Sequence, residues 1–504
     1  MSFTKRDRKR GFRRDAARLS RCIAAFVCFA LVLTSCSGGS NEPVEEPSEA
    51  VTEAVRNMPA ELRLPYNADD GLNPFAVESS MNSVLMPLMY EGLFSVSADY
   101  TPAPVLAQRA SVSDYAMTVT LAPRSFSDGT AVTARDVVYS FEQAASSPLY
   151  KNRLARISAA RSSGADVVFD LESPNFFSVA LLDFPVVKSG TAQDRTSVPV
   201  GTGRFVPSGP DTLVSRGDGE VKEIRLYNIF DGSTLDTNLE LGHIDLYYTD
   251  LSDGTGANTS FSVYSRDVNS LVYLGFNPNI NSLSDPALRR ALSTACDRAS
   301  VAGSAFQGYA RPALAVLNPA YAGSGEAVWD EAARPADAYD LIAAAGYASP
   351  ADIDEPGVTA KTELSYRLIT PEGNRFKSDC AENLRRSFAA AGVELTVTEL
   401  GSEAFAQYLE AGWYDLYLGE VRLNKDQDLT QLFSGRSATV LPETECAGVY
   451  DSYLRHEVGI EEFNSAFYAD VPFIPLVYRC GAVVCAEGVR PGSGSASDLF
   501  AAVS

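Results

Sequence analysis

The densest run of side chains able to do chemistry is Glu420-Val421-Arg422-Leu423-Asn424-Lys425-Asp426-Gln427-Asp428. Carboxylates accept hydrogen bonds from ammonium groups, a guanidinium forks onto a carboxylate, and an amide does both. The run follows Tyr414 to Gly419, which reads as a buried strand, so it opens where that strand hands over to a loop. Such a place suits recognition of a small solute, although a solvated surface loop would carry the same residues. Two other loops offer asparagines beside apolar runs: Asp69 to Phe75 with Asn73, and Asn277 to Ile280 after Leu271 to Phe276.

Catalytic chemistry finds less support. Only His243 and His456 are present, and no G-x-S-x-G elbow exists to pair with either. Gly201-Thr202-Gly203 lacks the Lys-Ser/Thr and the strand–helix context of a phosphate cradle. Paired carboxylates of the glycosidase kind arise by chance in so acidic a chain, which leaves an extracellular hydrolase as the weakest alternative. Two histidines without clustered soft ligands disfavour a bare metal ion, and no Cys/His spacing suggests zinc. No cofactor is implied.

The elements that must position these loops are legible from local signals. Asp285-Pro286 forms an N-cap and first helical residue, and Leu288, Ala291, Leu292 and Ala295 recur at helical spacing behind it. Asp297 caps a second short helix ending near Gly308. Thr133-Ala134-Arg135-Asp136 is a capping box. Phe376, Cys380, Leu384 and Phe388 mark one face of a helix over 375–391 that stops at Gly392. Strands over 364–369, 393–398 and 414–419 alternate with helices over 375–391 and 402–411. That order predicts an α/β, doubly wound parallel sheet. Ligands of such sheets sit at the strands' carboxyl ends, here the loops 277–280, 370–374 and 420–428.

Several segments together resemble the peptide/nickel-type extracellular solute-binding proteins (family 5) of ABC importers. They are YLGFN at Tyr273, SDPALRRALSTACDR at Ser284, FQGYARPA at Phe306 and FSDGTAVTARDVVYSFEQA at Phe126. DDGLNPF at Asp69, YEGLF at Tyr90, TPAPVLA at Thr101, VGTGRF at Val200 and VPFIPLVY at Val471 extend the match, with Arg204 where the family usually has proline. The resemblance implies a type II periplasmic-binding-protein-like fold of two lobes with an extra subdomain in the first and a hinge of two crossover strands. On that scheme lobe I covers 58–270 with an inserted subdomain at about 85–200, lobe II covers 271–470, and 471–504 returns to lobe I. Crossings are expected near Leu271–Phe276 and Phe473–Tyr478. It further implies capture of an oligopeptide or related small solute and delivery to permease transmembrane subunits. In relatives the loop after the YDL-type strand contributes to the cleft, often through an acidic residue that holds an amino group. The candidates here are Glu420, Arg422, Asn424 and Asp426, with Asn277 and Asn73. Glu420 and Arg422 could hold an amino group and a carboxylate, or pair with each other. A surface sensor or pheromone-type binder without a permease is the alternative on the same fold.

The amino terminus reads as an address. Residues 1–21 carry nine basic side chains, Cys22 to Leu33 is an apolar run of twelve, and Leu33-Thr34-Ser35-Cys36 resembles a lipobox. Cleavage before Cys36 and lipidation of its thiol would anchor the protein outside the bacterial membrane. Residues 37–57, rich in Ser, Gly, Pro and Glu, make a flexible tether. The chain carries −22 overall and the leader is basic, so the remainder is near −29, which argues against nucleic acid. The expected state is a monomer. Of the cysteines beyond Cys36, Cys296 and Cys380 fall on apolar helix faces and suit buried thiols. A Cys480–Cys485 bridge across a tight hairpin, or one from Cys446 to either, stays open.

Overall fold

A computed structural model describes residues 59–347, 364–433, 444–491 and 499–500. Two long antiparallel strands, Ser262–Phe276 and Ile474–Cys485, run side by side through it. Every residue of Ile474–Cys485 is buried, which explains a run with no alternation. The pair is continuous from Ser262↔Cys485 to Leu274↔Ile474, with irregularities at Asp267/Ser270 and Val272/Tyr273. At the first, Asn269 takes a left-handed φ of 54°, which asparagine tolerates better than most residues. There the two strands pass from one hydrophobic core to the others.

These strands lie in a seven-stranded sheet ordered Leu246–Thr249, Ile474–Cys485, Ser262–Phe276, Leu416–Arg422, Ser365–Pro371 and Glu394–Leu400, with Ala310–Pro312 added on Ile474–Cys485. Ser365–Pro371 is parallel to both of its neighbours, as the alternation of strands and helices predicts. Leu416–Arg422, however, runs antiparallel to Ser262–Phe276, so the sheet is mixed. The expectation that 277–280 joins 370–374 and 420–428 is therefore corrected. Phe276 pairs with Leu416 and Ser270 with Arg422, which puts Asn277 at the opposite end of the sheet from Arg422. Apolar runs buried on both faces encode a strand but not its direction.

The first half folds around one core that gathers Leu62, Leu64, Phe141, Phe169 and Phe184 with Val483 and Phe500 from the chain's end. It joins a four-stranded sheet of Glu61–Tyr66, Glu223–Asn228, Thr212–Ser215 and Phe205–Pro207 to an antiparallel one of Ala107–Ser113, Ala116–Leu121, Asp166–Leu171 and Ile157–Ser163. Helix Ala134–Ser146 starts at the expected capping box, with the Asp136 carboxylate accepting from the Thr133 N–H at 2.9 Å. Gly201 and Gly203 press against the backbone of Met89, and the Gly203 N–H donates to the Met89 carbonyl at 2.9 Å. The glycines serve close packing, not a phosphate.

The second half holds two cores on the two faces of the large sheet, one lined by Leu274, Leu292, Phe376 and Leu384, the other by Tyr273, Tyr417, Tyr450 and Phe463. Helix Pro286–Ala295 begins at Asp285, whose carboxylate accepts from the Ala287 N–H at 2.9 Å, and Asp297 caps the next turn by accepting from Ser300 at 2.9 Å. Two buried arginines pin this region to the returning chain. Arg289 Nε donates to the Val471 carbonyl at 3.0 Å, and Arg298 Nε to that of Pro475 at 2.9 Å. Cys296, Cys380, Cys446, Cys480 and Cys485 are all buried free thiols. Cys480 and Cys485 lie on one unbroken strand, not across a hairpin. Five extended residues span roughly 16 Å, beyond disulfide reach.

Candidate functional site

The strand ahead of the polar run does not stop at Gly419. It continues to Arg422, because Glu420, Val421 and Arg422 pair with Val272, Leu271 and Ser270. Glu420 is consequently a strand residue with a half-enclosed carboxylate. Its Oε1 accepts from Ser270 Oγ at 2.7 Å and Arg479 Nε at 2.5 Å, and its Oε2 lies 2.9 Å from Lys377 Nζ. Burial works against its charge, but Arg479 and Lys377 prevail and hold the carboxyl down to about 2. Both oxygens are thus engaged by cations of the chain itself. Arg422 does not pair with Glu420; its guanidinium is exposed and its nearest carboxylate among the described residues, Asp250 Oδ2, is 4.0 Å away. Arg479 continues the network by donating to the Asp250 carbonyl at 2.7 Å.

Beyond Arg422 the chain turns toward the first half of the molecule. The Asn424 carbonyl accepts from Asn269 Nδ2 at 2.9 Å, beside the irregularity in the long strands. Asp426 is buried and accepts from Asn175 Nδ2 at 3.0 Å. Burial and the nearby Asp428 push its carboxyl upward. Asp428 accepts from Arg156 Nη1 at 2.6 Å and from the Tyr450 hydroxyl at 3.1 Å. Lys425 pairs with Asp183, which also binds Arg153. Gln427, between the two aspartates, has a left-handed φ of 57°, and neither atom of its buried amide has a hydrogen-bond partner among the described residues.

The partners on the other side were not singled out by sequence reasoning. Ser173-Pro174-Asn175-Phe176-Phe177 forms a strap that crosses to the second half. The Phe176 N–H donates to the Leu454 carbonyl at 2.9 Å, and the Phe177 ring stacks on Tyr453 with centroids 4.9 Å apart. A second bridge lies at the long strands, where Asp267 accepts from the Tyr100 hydroxyl and from Asn318 Nδ2, the latter at 2.9 Å. A Pro-Asn-aromatic triplet between strand signals was the available hint, and it has no periodicity to mark it.

The remaining candidates hold backbone. Asn277 Nδ2 donates to the carbonyls of Tyr414 at 2.6 Å and Gly412 at 3.1 Å. Asn73 Nδ2 donates to the Asp194 carbonyl at 2.7 Å and to Ser197 Oγ at 3.2 Å. Cys36 lies outside the described residues. His243 stacks on Tyr227 at 4.8 Å and hydrogen-bonds Asn238 at 3.0 Å, and His456 lies against Phe176 and Phe177. The arrangement is therefore a charged, hydrogen-bonding junction between two lobes, beside the strands that join them.

Comparison with known proteins gives this junction a context. The description "Bacterial extracellular solute-binding proteins, family 5 Middle" matches residues 101–439. Protein XP55 of Streptomyces lividans is 27% identical over 434 residues, covering 76% of this chain and 73% of that one. The fold is similar to that of the MppA periplasmic murein tripeptide binding protein in its unliganded open form, with a TM-score of 0.71, 17% identity, and coverage of 89% of this chain and 96% of that one. It is also similar to that of a nickel ABC transporter protein from Bacillus halodurans, with a TM-score of 0.70, 18% identity, and coverage of 87% and 98%. Both structures share the two-lobed periplasmic-binding-protein architecture.

Proposed function

Since the chain belongs to the family 5 bacterial extracellular solute-binding proteins, we propose that it is the lipid-anchored capture component of an ABC importer. It takes an oligopeptide or a related small solute between its lobes and delivers it to membrane permease subunits. The observation that carries this reading is the pair of long strands joining separate cores, irregular at Asp267–Ser270 and flanked by polar side chains from both halves. A small change at such a joint moves two preformed bodies together, as hinge closure requires. The lobes take the ranges 58–270 and 271–470, with 471–504 returning to the first. The family binds solutes and does not transform them, so no catalytic step is assigned.

The acyl anchor at Cys36 is tested by Cys36→Ser, which should move the protein from the membrane fraction to the medium. Unchanged membrane association would remove the anchor from the proposal. The solute class is tested by native mass spectrometry of the soluble form starting at Ser37, with gentle denaturation to release what is bound. A heterogeneous set of adducts that fragment as short peptides supports oligopeptide capture. A single defined adduct such as a sugar or a chelate replaces the substrate class.

A further inference from the structure

Charged side chains of both signs gather at the edge where Ser365–Pro371 and Leu416–Arg422 end. Lys377, Arg422 and Arg479 stand against Glu420 and Asp250. Glu420 has no oxygen to spare for an ammonium group, since Lys377, Arg479 and Ser270 occupy both. Arg422 is the reverse case, an exposed guanidinium whose nearest carboxylate among the described residues is at 4.0 Å. A guanidinium offers a planar fork of donors that matches a carboxylate and cannot be deprotonated.

A second observation points to the same ligand chemistry. Tyr248 belongs to the strand Leu246–Thr249 that lies beside Ile474–Cys485, and its buried hydroxyl has no hydrogen-bond partner among the described residues. The ring passes over Gly481, where an added Cβ would meet the hydroxyl at 2.9 Å. Arg422 and Arg479 both act electrostatically on this hydroxyl, as does Asp250. A buried O–H that lacks an acceptor is costly, and a carboxylate oxygen brought by a ligand would satisfy it.

We propose that Arg422 and the Tyr248 hydroxyl form a carboxylate-binding subsite, so that the captured solute presents an anionic end to this edge of the cleft. The proposal rests on the solute-capture reading and refines it: the second-lobe strand that ends at Arg422 recognises an acid, not an amine.

The experiment is isothermal titration calorimetry on the full-length chain in mild detergent, with two matched pairs of probes. One pair is tri-alanine and its C-terminal amide; the other is glutarate and its dimethyl ester. The expected result is an acid bound about ten-fold or more tightly than its neutral partner. Arg422→Gln should bring the two within about two-fold. Tyr248→Phe should weaken the acid several-fold without lowering the unfolding temperature, because the hydroxyl it removes has no hydrogen-bond partner among the described residues. Acid and neutral forms bound alike by the wild type, or a preference that survives Arg422→Gln, would overturn the subsite. If both peptides bind equally, peptide capture stands and the subsite falls. If only the glutarate pair discriminates and neither peptide binds, the subsite stands and peptide capture falls. Binding of none of the four overturns both.

Discussion

Glu420→Gln would take one shared carboxylate from two cations at once. The Arg479 side chain is 8% exposed, and stripping the partner from a buried ion pair costs about 3–5 kcal/mol. The same group makes stability depend on acid. Its carboxyl is held down to about 2 from an ordinary 4.5, so the folded chain prefers the charged form more than the unfolded chain does. That contribution is complete above pH 4.5, disappears as the pH falls toward 2, and amounts to about 3 kcal/mol. Asp426 has the opposite sign. Burial and Asp428 raise it, so ionising it opposes folding, and its contribution worsens as the pH rises from the ordinary 3.8 through the raised value. Asp426→Asn keeps an acceptor for Asn175 and should stabilise the chain by about 1 kcal/mol at pH 8 while doing little at pH 4. Urea unfolding of wild type and both variants at pH 3, 4 and 8 checks both signs. A Glu420→Gln protein as acid-sensitive as wild type would contradict the assignment.

Between Val200 and Phe205 the chain lies backbone to backbone on the segment around Met89. A Cβ on Gly203 would come 2.3 Å from the Met89 carbonyl carbon and 2.5 Å from the Leu88 oxygen. Main chain cannot swing aside as a side-chain tip does, so Gly203→Ala should cost about 3 kcal/mol, read as a lower urea midpoint. Gly129→Ala, in the open turn after Asp128, meets nothing within 4 Å and loses only conformational ease at φ 85°. Equal costs for the two would show that packing is not what the Gly203 position needs. Features of this local kind were legible in the sequence. Asp285, Asp297, Thr133 and Gly392 each announced a helix end because a cap depends on residues a few positions away. Strand direction was not legible: Leu271 to Phe276 is buried whichever way its neighbour runs, and so Asn277 was placed at the wrong edge of the sheet. The polar run was found, but whether Glu420 faced a ligand or Arg479 depended on a residue 59 positions away. The strap from Ser173 to Phe177 gave no periodic pattern at all.

At the scale of the whole molecule, the strap is the contact whose loss should be felt most directly at the junction, since Phe177 packs only at the margin of the core that holds Tyr453. Phe177 stacks on Tyr453 at 4.9 Å, and Arg156 reaches Asp428 at 2.6 Å from the same side. An aromatic pair of this kind contributes about 1 kcal/mol beyond its buried area. If the lobes close as proposed, Phe177→Ala shifts the closed-to-open ratio by about five-fold toward open. Apparent affinity for any ligand that needs the closed form falls by the same factor while open molecules predominate. Arg156→Ala acts in the same direction, and Asp428 keeps its bond from the Tyr450 hydroxyl at 3.1 Å. Small-angle scattering of the ligand-free proteins should show a larger radius of gyration for each variant than for wild type, and more so for the double variant. The urea midpoint of Phe177→Ala should fall only slightly, since Phe177 packs at the margin of its core, whereas Arg156→Ala also leaves the 7% exposed Asp428 side chain without its cation and should lower the midpoint further. Identical scattering curves for wild type and double variant would mean that the strap does not hold the lobes together. Closure would then have to be driven by the Asp267–Tyr100 contact or by the solute alone.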